Sequence, residues 1–519
     1  MVPRSRGNMA ETFTSLPIKL LATISLRLTS HLLHQIAHLR MKRVFLSADQ
    51  RNLDVFRAVA DHEVFRRHIQ EIIWDDTRLL LPPRFSVLDY GRNPREQGSC
   101  AGAELWYINA CRENIADLRR YQADYTGLAG IIERAEQDVA STVWLKESFA
   151  FYKKLSREQE ENIRTNADVE AFEYGLKQFP ALKRVTVTPV THTRIFHPLY
   201  QTPMVRTFPP GFNYPIPCGW PTHKENHPAL TPWTNSSEHG KDRWRGVRAA
   251  LHVLARDREH HNVSELVFGV NQLNTGIRGT ILEQPCEELL ILLLILKQPG
   301  FKRLDLAIIC PSQYERGWPI FCNGNLRDVL KIAADLEHFS FKANVSQLQA
   351  NSSRDNYFPN IRFDTVFPVA KWQRLHHFGL SGLSVHTTDM VRLLDRLPLT
   401  NRSPYIDNWS ILIEGIRNRT RWRYRSTSKR PKLVVGVDVL WNRRPGLGIW
   451  IEREVHEFLY GNGPNSFDEY GIVRPGVGFE RDSFNPDYER PNVHPEWLIW
   501  LDIMENHGLC QSCNVRRIR

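Results

Sequence analysis

Phe301-Lys302-Arg303-Leu304-Asp305-Leu306 and Leu336-Glu337-His338-Phe339-Ser340-Phe341 share one pattern, with apolar side chains at the first, fourth and sixth positions and mostly polar or charged ones between. Alternation of this kind marks a short strand that buries one face. Leu182-Lys183-Arg184-Val185-Thr186-Val187, Val263-Ser264-Glu265-Leu266-Val267-Phe268 and Leu375-His376-His377-Phe378-Gly379-Leu380 repeat it. The last four phrases start at 263, 301, 336 and 375, at intervals of 38, 35 and 39 residues. Helical spacing precedes most of them, around Phe172 and Leu176, from Val247 to Leu254, in the run Leu289–Leu296, and from Val329 to Ala334. A looser segment precedes the phrase at Leu375.

One strand and one helix cannot bury their apolar faces alone, whereas stacked copies form a continuous parallel sheet backed by helices. The expected fold class is therefore α/β, an irregular repeat array of parallel strands backed by helices. The intervals exceed the roughly 20–29 residues of standard leucine-rich repeats, although the physical unit is similar. An ordinary α/β sheet with irregular connections gives the same alternation and stays open as an alternative.

Outward from these phrases the chain divides into three parts. Residues 12–45 read as two or three short helices, the first holding Leu16, Leu20, Leu21, Ile24 and Leu28 and the second Leu32, Leu33, Ile36 and Leu39. Ser15 caps the first and Pro17 sits in its opening turn, so it forms a short amphipathic helix with too little surface for a core of its own. Residues 46–460 form the array, beginning with a helix around Leu53, Phe56, Val59 and Ala60 and the strand-like Ile69–Trp74. A Pro-, aromatic- and His-containing stretch at 195–245 reads as a long loop insertion, and the strand Lys432–Val437 as the last element of the sheet. Near Thr400–Asp407 the array lacks a full strand phrase, and residues 461–519, rich in Gly, Pro and Asn, read as a loop-rich tail.

The 519 residues carry 42% apolar and 24% charged side chains, ordinary for a folded globular chain. Sixty-eight basic residues against 57 acidic ones leave a mild surplus of +11. Eight cysteines without a framework spacing suit a reducing compartment. The longest apolar run, Leu289–Leu296, is eight residues, too short to span a bilayer, so no membrane partner is expected. From Met1 to Ala48 the only acid is Glu11, against seven basic residues, which keeps a mitochondrial presequence open beside a cytoplasmic or nuclear location.

Arg417, Arg419, Arg421, Arg423 and Arg425 alternate strictly, with Trp422 and Tyr424 between the last three. In an extended segment all five would share one face that binds phosphates, an acidic peptide or a phosphorylated target. The alternative is a solvated loop; no nucleic-acid fold motif accompanies the run, so nucleic acid is not the expected partner. Cys510-x-x-Cys513 is half a zinc site without a second pair, and His260-His261 and His376-His377 have no third ligand at matching spacing, so no metal and no cofactor is expected. Walker A, dinucleotide-binding, Gly-x-Ser-x-Gly and His-Glu-x-x-His patterns are missing from the sequence, which removes the commonest enzyme classes.

Ser15-Leu16-Pro17-Ile18-Lys19-Leu20-Leu21-Ala22-Thr23-Ile24 resembles the start of an F-box, Leu-Pro-x-Glu-Leu-Leu-x-x-Ile, with Lys19 at the acidic position and the resemblance ending at Leu28. Val55–His62 with Ile69–Asp76, Asp168–Leu176 leading into Phe179–Leu182, Thr207–Pro215 and Glu454–Gly461 are similar to segments of filamentous-fungal F-box proteins with divergent leucine-rich repeats. The resemblance implies a short N-terminal helical F-box-like module followed by an irregular leucine-rich-repeat-like solenoid. It further implies a non-catalytic substrate receptor of an SCF-type cullin-RING ubiquitin ligase. Leu16, Pro17, Leu20, Leu21, Ile24 and Leu28 would bind a Skp1-type adaptor and through it cullin, while the repeats hold a target protein. The rivals are a repeat scaffold whose N-terminal helix packs back as a cap, and a nucleic-acid binder using the Arg417–Arg425 run.

Overall fold

The computed structural model describes residues 41–491 except 80, 82–98, 101, 122–128, 141, 218, 222–231, 272, 274, 311–317, 345–365, 386, 396–400, 403–404, 407, 439–446 and 483–484. Its strands are β1 (Arg43–Leu46), β2 (Glu71–Asp75), β3 (Arg184–Thr188), β4 (Glu265–Phe268), β5 (Arg303–Ile309), β6 (His338–Lys342), β7 (His377–Ser381), β8 (Asn401–Arg402), β9 (Leu433–Asp438), β10 (Leu447–Ile451), β11 (Phe479–Asp482) and β12 (Asn485–Pro491). These strands lie side by side in chain order, and Ile277–Arg278 pairs with β5 off that path to complete a 13-stranded sheet. Pairing is parallel from β1 to β9 and antiparallel from β9 to β12. The chain is an α/β protein with a mainly parallel sheet.

The six-residue phrase is legible in three dimensions. Its first, fourth and sixth side chains are buried in every copy, as in Phe301, Leu304 and Leu306 or Leu336, Phe339 and Phe341. Ile69, Ile72 and Trp74 make β2 a further copy. The second position carries a repeated backbone device. The Lys42 carbonyl accepts from the N–H groups of both Gln70 (2.8 Å) and Glu71 (3.1 Å), and those of Gln70, Lys183, Ser264, Lys302 and Glu337 each accept two in the same way from the next strand. The polar second residue is thus where each strand locks to its neighbour and where its register is set.

Helices α1 (Gln50–Asp61), α2 (Leu105–Tyr121), α3 (Ala129–Ala140), α4 (Thr142–Arg164), α5 (Ala167–Gln178), α6 (Arg245–Arg256), α7 (Glu287–Leu296), α8 (Asn325–Leu330), α9 (Thr387–Asp395), α10 (Trp409–Arg419) and α11 (Arg453–Tyr460) complete the larger elements. In the layer that backs the sheet, α1 packs on α5, α5 on α6, α6 on α7 and α7 on α8; further on, α9 packs on α10 and α10 on α11. Together with the inward face of the sheet they form one continuous apolar core. Asp49 caps α1 by accepting from the Arg51 N–H at 2.9 Å. At Gly175 a side chain would run into the Phe56 ring, so the close approach of α5 to α1 requires glycine there.

Four expectations need correction. Arg43–Phe45, placed at the end of the helical module, belong with Leu46 to the first strand, because Val44 and Leu46 are part of the sheet's buried face. Lys432–Val437 is not the end of the sheet: β10, β11 and β12 extend it, the last two within the stretch read as tail. β9 and β10 pair antiparallel across a connection of eight residues, which is shorter than a parallel crossover needs. The missing phrase near Thr400 is a two-residue strand, β8. The insertion at 195–245 is folded in, with short helices at Pro203–Arg206 and Glu238–Lys241, and Met204, Phe212, Tyr214, Trp220, Trp233 and Trp244 buried.

Between β2 and β3 the helices α2, α3 and α4 build a second core around Tyr107, Ile108, Cys111, Phe149 and Tyr152. Residues 195–216 pack into the same core through Ile195, Phe212, Tyr214 and Ile216. Polar side chains stitch this lobe to the sheet. Gln159 accepts from the Leu79 N–H at 2.7 Å and donates to the Thr77 carbonyl at 3.0 Å, while Asn162 donates to the Ala48 carbonyl at 3.1 Å. Asn114 donates to both Asn213 Oδ1 (2.7 Å) and the Tyr214 carbonyl (2.8 Å).

Candidate interaction surface

The third position of the phrase points away from the helix layer, and parallel register aligns these residues across seven strands. Arg43, Glu71, Arg184, Glu265, Arg303, His338 and His377 face one another in turn. Adjacent strands lie about 4.8 Å apart, so opposite charges on neighbours fall within ion-pairing reach. Arg43 Nε is 2.7 Å from Glu71 Oε2, and Arg184 Nη2 is 2.5 Å from Glu265 Oε2 and its Nη1 3.9 Å from Glu71 Oε1. The Thr186 hydroxyl adds a 2.8 Å bond to Glu71. The sign of charge alternates along this ladder, so the face pairs internally and does not project a strong field.

At β5 to β7 the ladder turns into an acid–imidazole cluster. Asp305 accepts from Arg303 Nη2 at 2.6 Å and lies 3.1 Å from His338 Nε2. Burial opposes ionisation of Asp305, but the hydrogen bonds from His338 and Arg303 outweigh it and hold its carboxyl below the usual range. The His338 and His377 rings stack with centroids 3.9 Å apart and planes 8° from parallel. Ser340 Oγ lies 3.3 Å from His338 Nε2 and 3.4 Å from His377 Nε2. This is not a nucleophilic triad: Ser340 and Asp305 both address Nε2 of His338, whereas a relay needs the carboxylate on the opposite ring nitrogen. Among the described residues no group of three or more His, Cys, Asp or Glu could hold a metal ion.

The second lobe covers the outward face at the first strands. Phe45 meets Tyr200, with ring centroids 5.8 Å apart. Fully buried His192 bridges Asp75 of β2, 3.5 Å from Nε2, and the Tyr214 hydroxyl, 2.8 Å from Nδ1. Burial, with the Asp75 charge second, pushes the Tyr214 phenol far above its ordinary range. The ladder is partly open to solvent along its length: Arg43 keeps 59% of its side-chain surface exposed, Arg184 28%, and Arg303 and His338 25% each. A cavity of about 20 Å³ against Trp244, Val247 and Phe268 lies inside the main core and has room for one water, not a substrate.

The residues singled out from sequence fall elsewhere. Leu16, Pro17, Leu20, Leu21, Ile24 and Leu28 lie outside the described residues, as do Cys510 and Cys513. The five arginines do not form an extended stripe. Arg417 and Arg419 end α10, Arg421 and Arg423 belong to the 3-10 turn Arg421–Tyr424, and Arg425 follows it. Helical rotation therefore keeps the five from lining one face of an extended strand. His260 and His261 do not act together: His261 Nε2 contacts the Leu254 carbonyl at 3.0 Å and its Nδ1 accepts from the Val263 N–H at 3.2 Å, which shapes the turn before β4. Burial lowers the His261 pKa, so it favours the neutral ring that can accept this bond. His376 is exposed just before β7, whereas His377 joins the ladder.

The ladder itself was not singled out, although its signal is in the phrase: the third position is charged or His in every copy. Among the described residues no helix is long and apolar enough to cross a membrane. Compared with protein-family models, curated proteins and solved structures, the chain matches none.

Proposed function

We propose that this chain is the target-binding subunit of an SCF-type cullin-RING ubiquitin ligase. The observation that carries the reading is the sequential parallel sheet, in which β1 to β6 each begin with the same two-bond carbonyl and most strands are backed by a helix that packs on the next. The strand pairing and most of the helix packing run from each unit to the next, which supports a divergent leucine-rich-repeat-like solenoid. The lengths between strands vary because loops and the second lobe are inserted between units that keep one register.

In this reading the F-box-like segment, with Leu16, Pro17, Leu20, Leu21, Ile24 and Leu28, docks its apolar helical face in a groove of a Skp1-type adaptor, which links it to cullin. The open part of the ladder, from Arg184 to His377, holds a target protein. A surface of alternating, mutually paired charges favours a partner with its own alternating charges, which exchanges pairs at little net field cost and excludes mismatched ones. The chain performs no chemistry; ubiquitin transfer belongs to the partner subunits. Affinity purification of the full chain with mass spectrometry tests this. Stoichiometric adaptor and cullin subunits are the expected result, and their absence would leave a repeat scaffold without adaptor binding.

A further inference from the structure

Between Gly415 and Val437 the chain holds eight basic residues and no acidic one. The structure divides seven of them into two groups, with Arg425 half-buried at the end of the turn. Arg417 lies over the Phe458 ring at 4.7 Å, Arg430 over the Tyr460 ring at 5.2 Å, and Lys432 pairs with Glu452 at 2.5 Å. These three fasten the segment to α11 and its N-cap. Arg419, Arg421, Arg423 and Lys429 are instead exposed, and none forms an ion pair among the described residues.

The exposed group is held in place rather than loose. Trp422, at the centre of the turn, is only 2% exposed and pins the segment to the core. Thr420 ties the turn to α10 by donating its hydroxyl to the Ile416 carbonyl at 2.7 Å, and the Arg425 N–H closes it on the Trp422 carbonyl at 3.1 Å. Beside these cations Tyr424 stands 89% exposed, the most exposed large apolar side chain described. Three residues make one 3-10 turn, so Arg421 and Tyr424 lie on the same side.

We infer that the turn Arg421–Tyr424, with Arg419 and Lys429, is a binding site for single-stranded nucleic acid. Guanidinium groups contact phosphates, and an exposed aromatic ring between them offers a platform on which an unpaired base stacks. An acidic peptide would satisfy the cations but has no flat π surface to use Tyr424. A duplex keeps its bases stacked on one another and leaves the ring idle. The site is independent of the receptor reading, because it lies on the turn after α10 and not on the ladder.

Fluorescence anisotropy of the full chain with labelled oligouridylate and oligothymidylate, each longer than the roughly 4–16 nucleotides one site covers, tests the inference. A duplex of equal length and polyglutamate serve as comparisons. The triple variant Arg419→Ala/Arg421→Ala/Arg423→Ala should bind at least about tenfold more weakly and flatten the salt slope by about 2, since each phosphate contact on a single strand contributes about 0.7. Tyr424→Ala should lose about fivefold or more while Tyr424→Phe keeps wild-type affinity, as stacking requires. These side chains are exposed, so unchanged thermal melting verifies that each variant folds. Polyglutamate competing as well as the oligonucleotide, or Tyr424→Ala binding like wild type, would overturn the inference in favour of an acidic-peptide surface. No oligonucleotide binding at low salt would overturn it outright.

Discussion

Arg194 and Asp482, 288 positions apart in the chain, meet with Nη1 2.6 Å from Oδ2. Arg194 follows β3, and Asp482 ends β11, eight strands further along the sheet. In a flat sheet that separation would be about 38 Å at about 4.8 Å per strand. The six residues from Thr188 to Arg194 reach at most about 21 Å. The sheet is therefore not flat, and this ion pair ties its β11 end back to the segment that follows β3.

Both side chains of that ion pair are nearly buried, at 9% and 4% exposure. Removing one partner of a buried pair costs about 3–5 kcal/mol, whereas replacing both with apolar or neutral groups is much less costly. Asp482→Asn should therefore lower the urea-unfolding free energy by about 3–5 kcal/mol. The double variant Arg194→Met/Asp482→Asn should recover most of it. Additive losses in the double variant would show that the two residues are not coupled.

Phe339 and Ser340 are consecutive and face opposite sides of β6. Phe339 is fully buried, in ring contact with Trp372 (5.0 Å) and Phe378 (5.8 Å). Phe339→Ala should cost about 3–5 kcal/mol and Ser340→Ala less than about 1 kcal/mol. Equal losses in chemical denaturation would contradict the assignment of inward and outward faces.

Arg184 sits between Glu71 and Glu265 on the ladder. Arg184→Glu would set three carboxylates on neighbouring strands and should cost roughly 1–2 kcal/mol at low ionic strength. Part of the deficit should disappear in molar salt, because the group is partly exposed and screened. A melting temperature whose deficit ignores salt would point to lost packing and not to charge.

Asp76 is buried beneath Trp220, whose Nε1 donates to it at 2.8 Å, and accepts from the Gly246 N–H at 3.2 Å. Burial raises its pKa to about 6. A carboxyl raised in the folded state binds its proton more tightly folded than unfolded. Its contribution is therefore complete below about pH 4 and is lost as pH rises through about 6. Relative to Asp76→Asn, the wild type should lose up to roughly 3 kcal/mol between those limits, read as the difference between two unfolding titrations. A constant difference would show that Asp76 ionises normally.

Leu20 and Ile24 are four positions apart in the proposed docking segment, a spacing that would put both on one face of a helix. A buried leucine anchor is worth roughly 2 kcal/mol or more, so Leu20→Asp or Ile24→Asp should weaken adaptor binding at least about tenfold. A pull-down with purified adaptor measures it, and unchanged binding in both variants would discard the docking face.

The strand phrase was legible because it depends on local alternation, which one-sided burial enforces at every copy. Its charged third position was legible too, but its meaning depends on register: Arg184 and Glu265 become partners only when β3 and β4 lie side by side. The helices at 105–164 carry an equally clear signal, with Tyr107, Ile108, Cys111, Ile115 and Leu118 at helical spacing. They stand outside the repeat, so a reading led by period passed over them. Alternation misled at Arg417–Arg425, where the buried Trp422 and the capped end of α10 impose helical turns on a period-two pattern. Composition misled after residue 461, since Gly, Pro and Asn are compatible with short antiparallel edge strands.

At β8 the described pairing is of two residues, Asn401 and Arg402, with Phe378 and Gly379 on one side and with Leu433 and Val434 on the other. Among the described residues, this is where the fewest residue pairs join one strand of the long sheet to the next on both sides. The strands beyond β8 form a flap, and the ion pair of Arg194 with Asp482 is the latch that ties the flap to the segment after β3. Cutting that latch leaves every strand pairing from β1 to β9 in place, since none of them passes through Arg194 or Asp482.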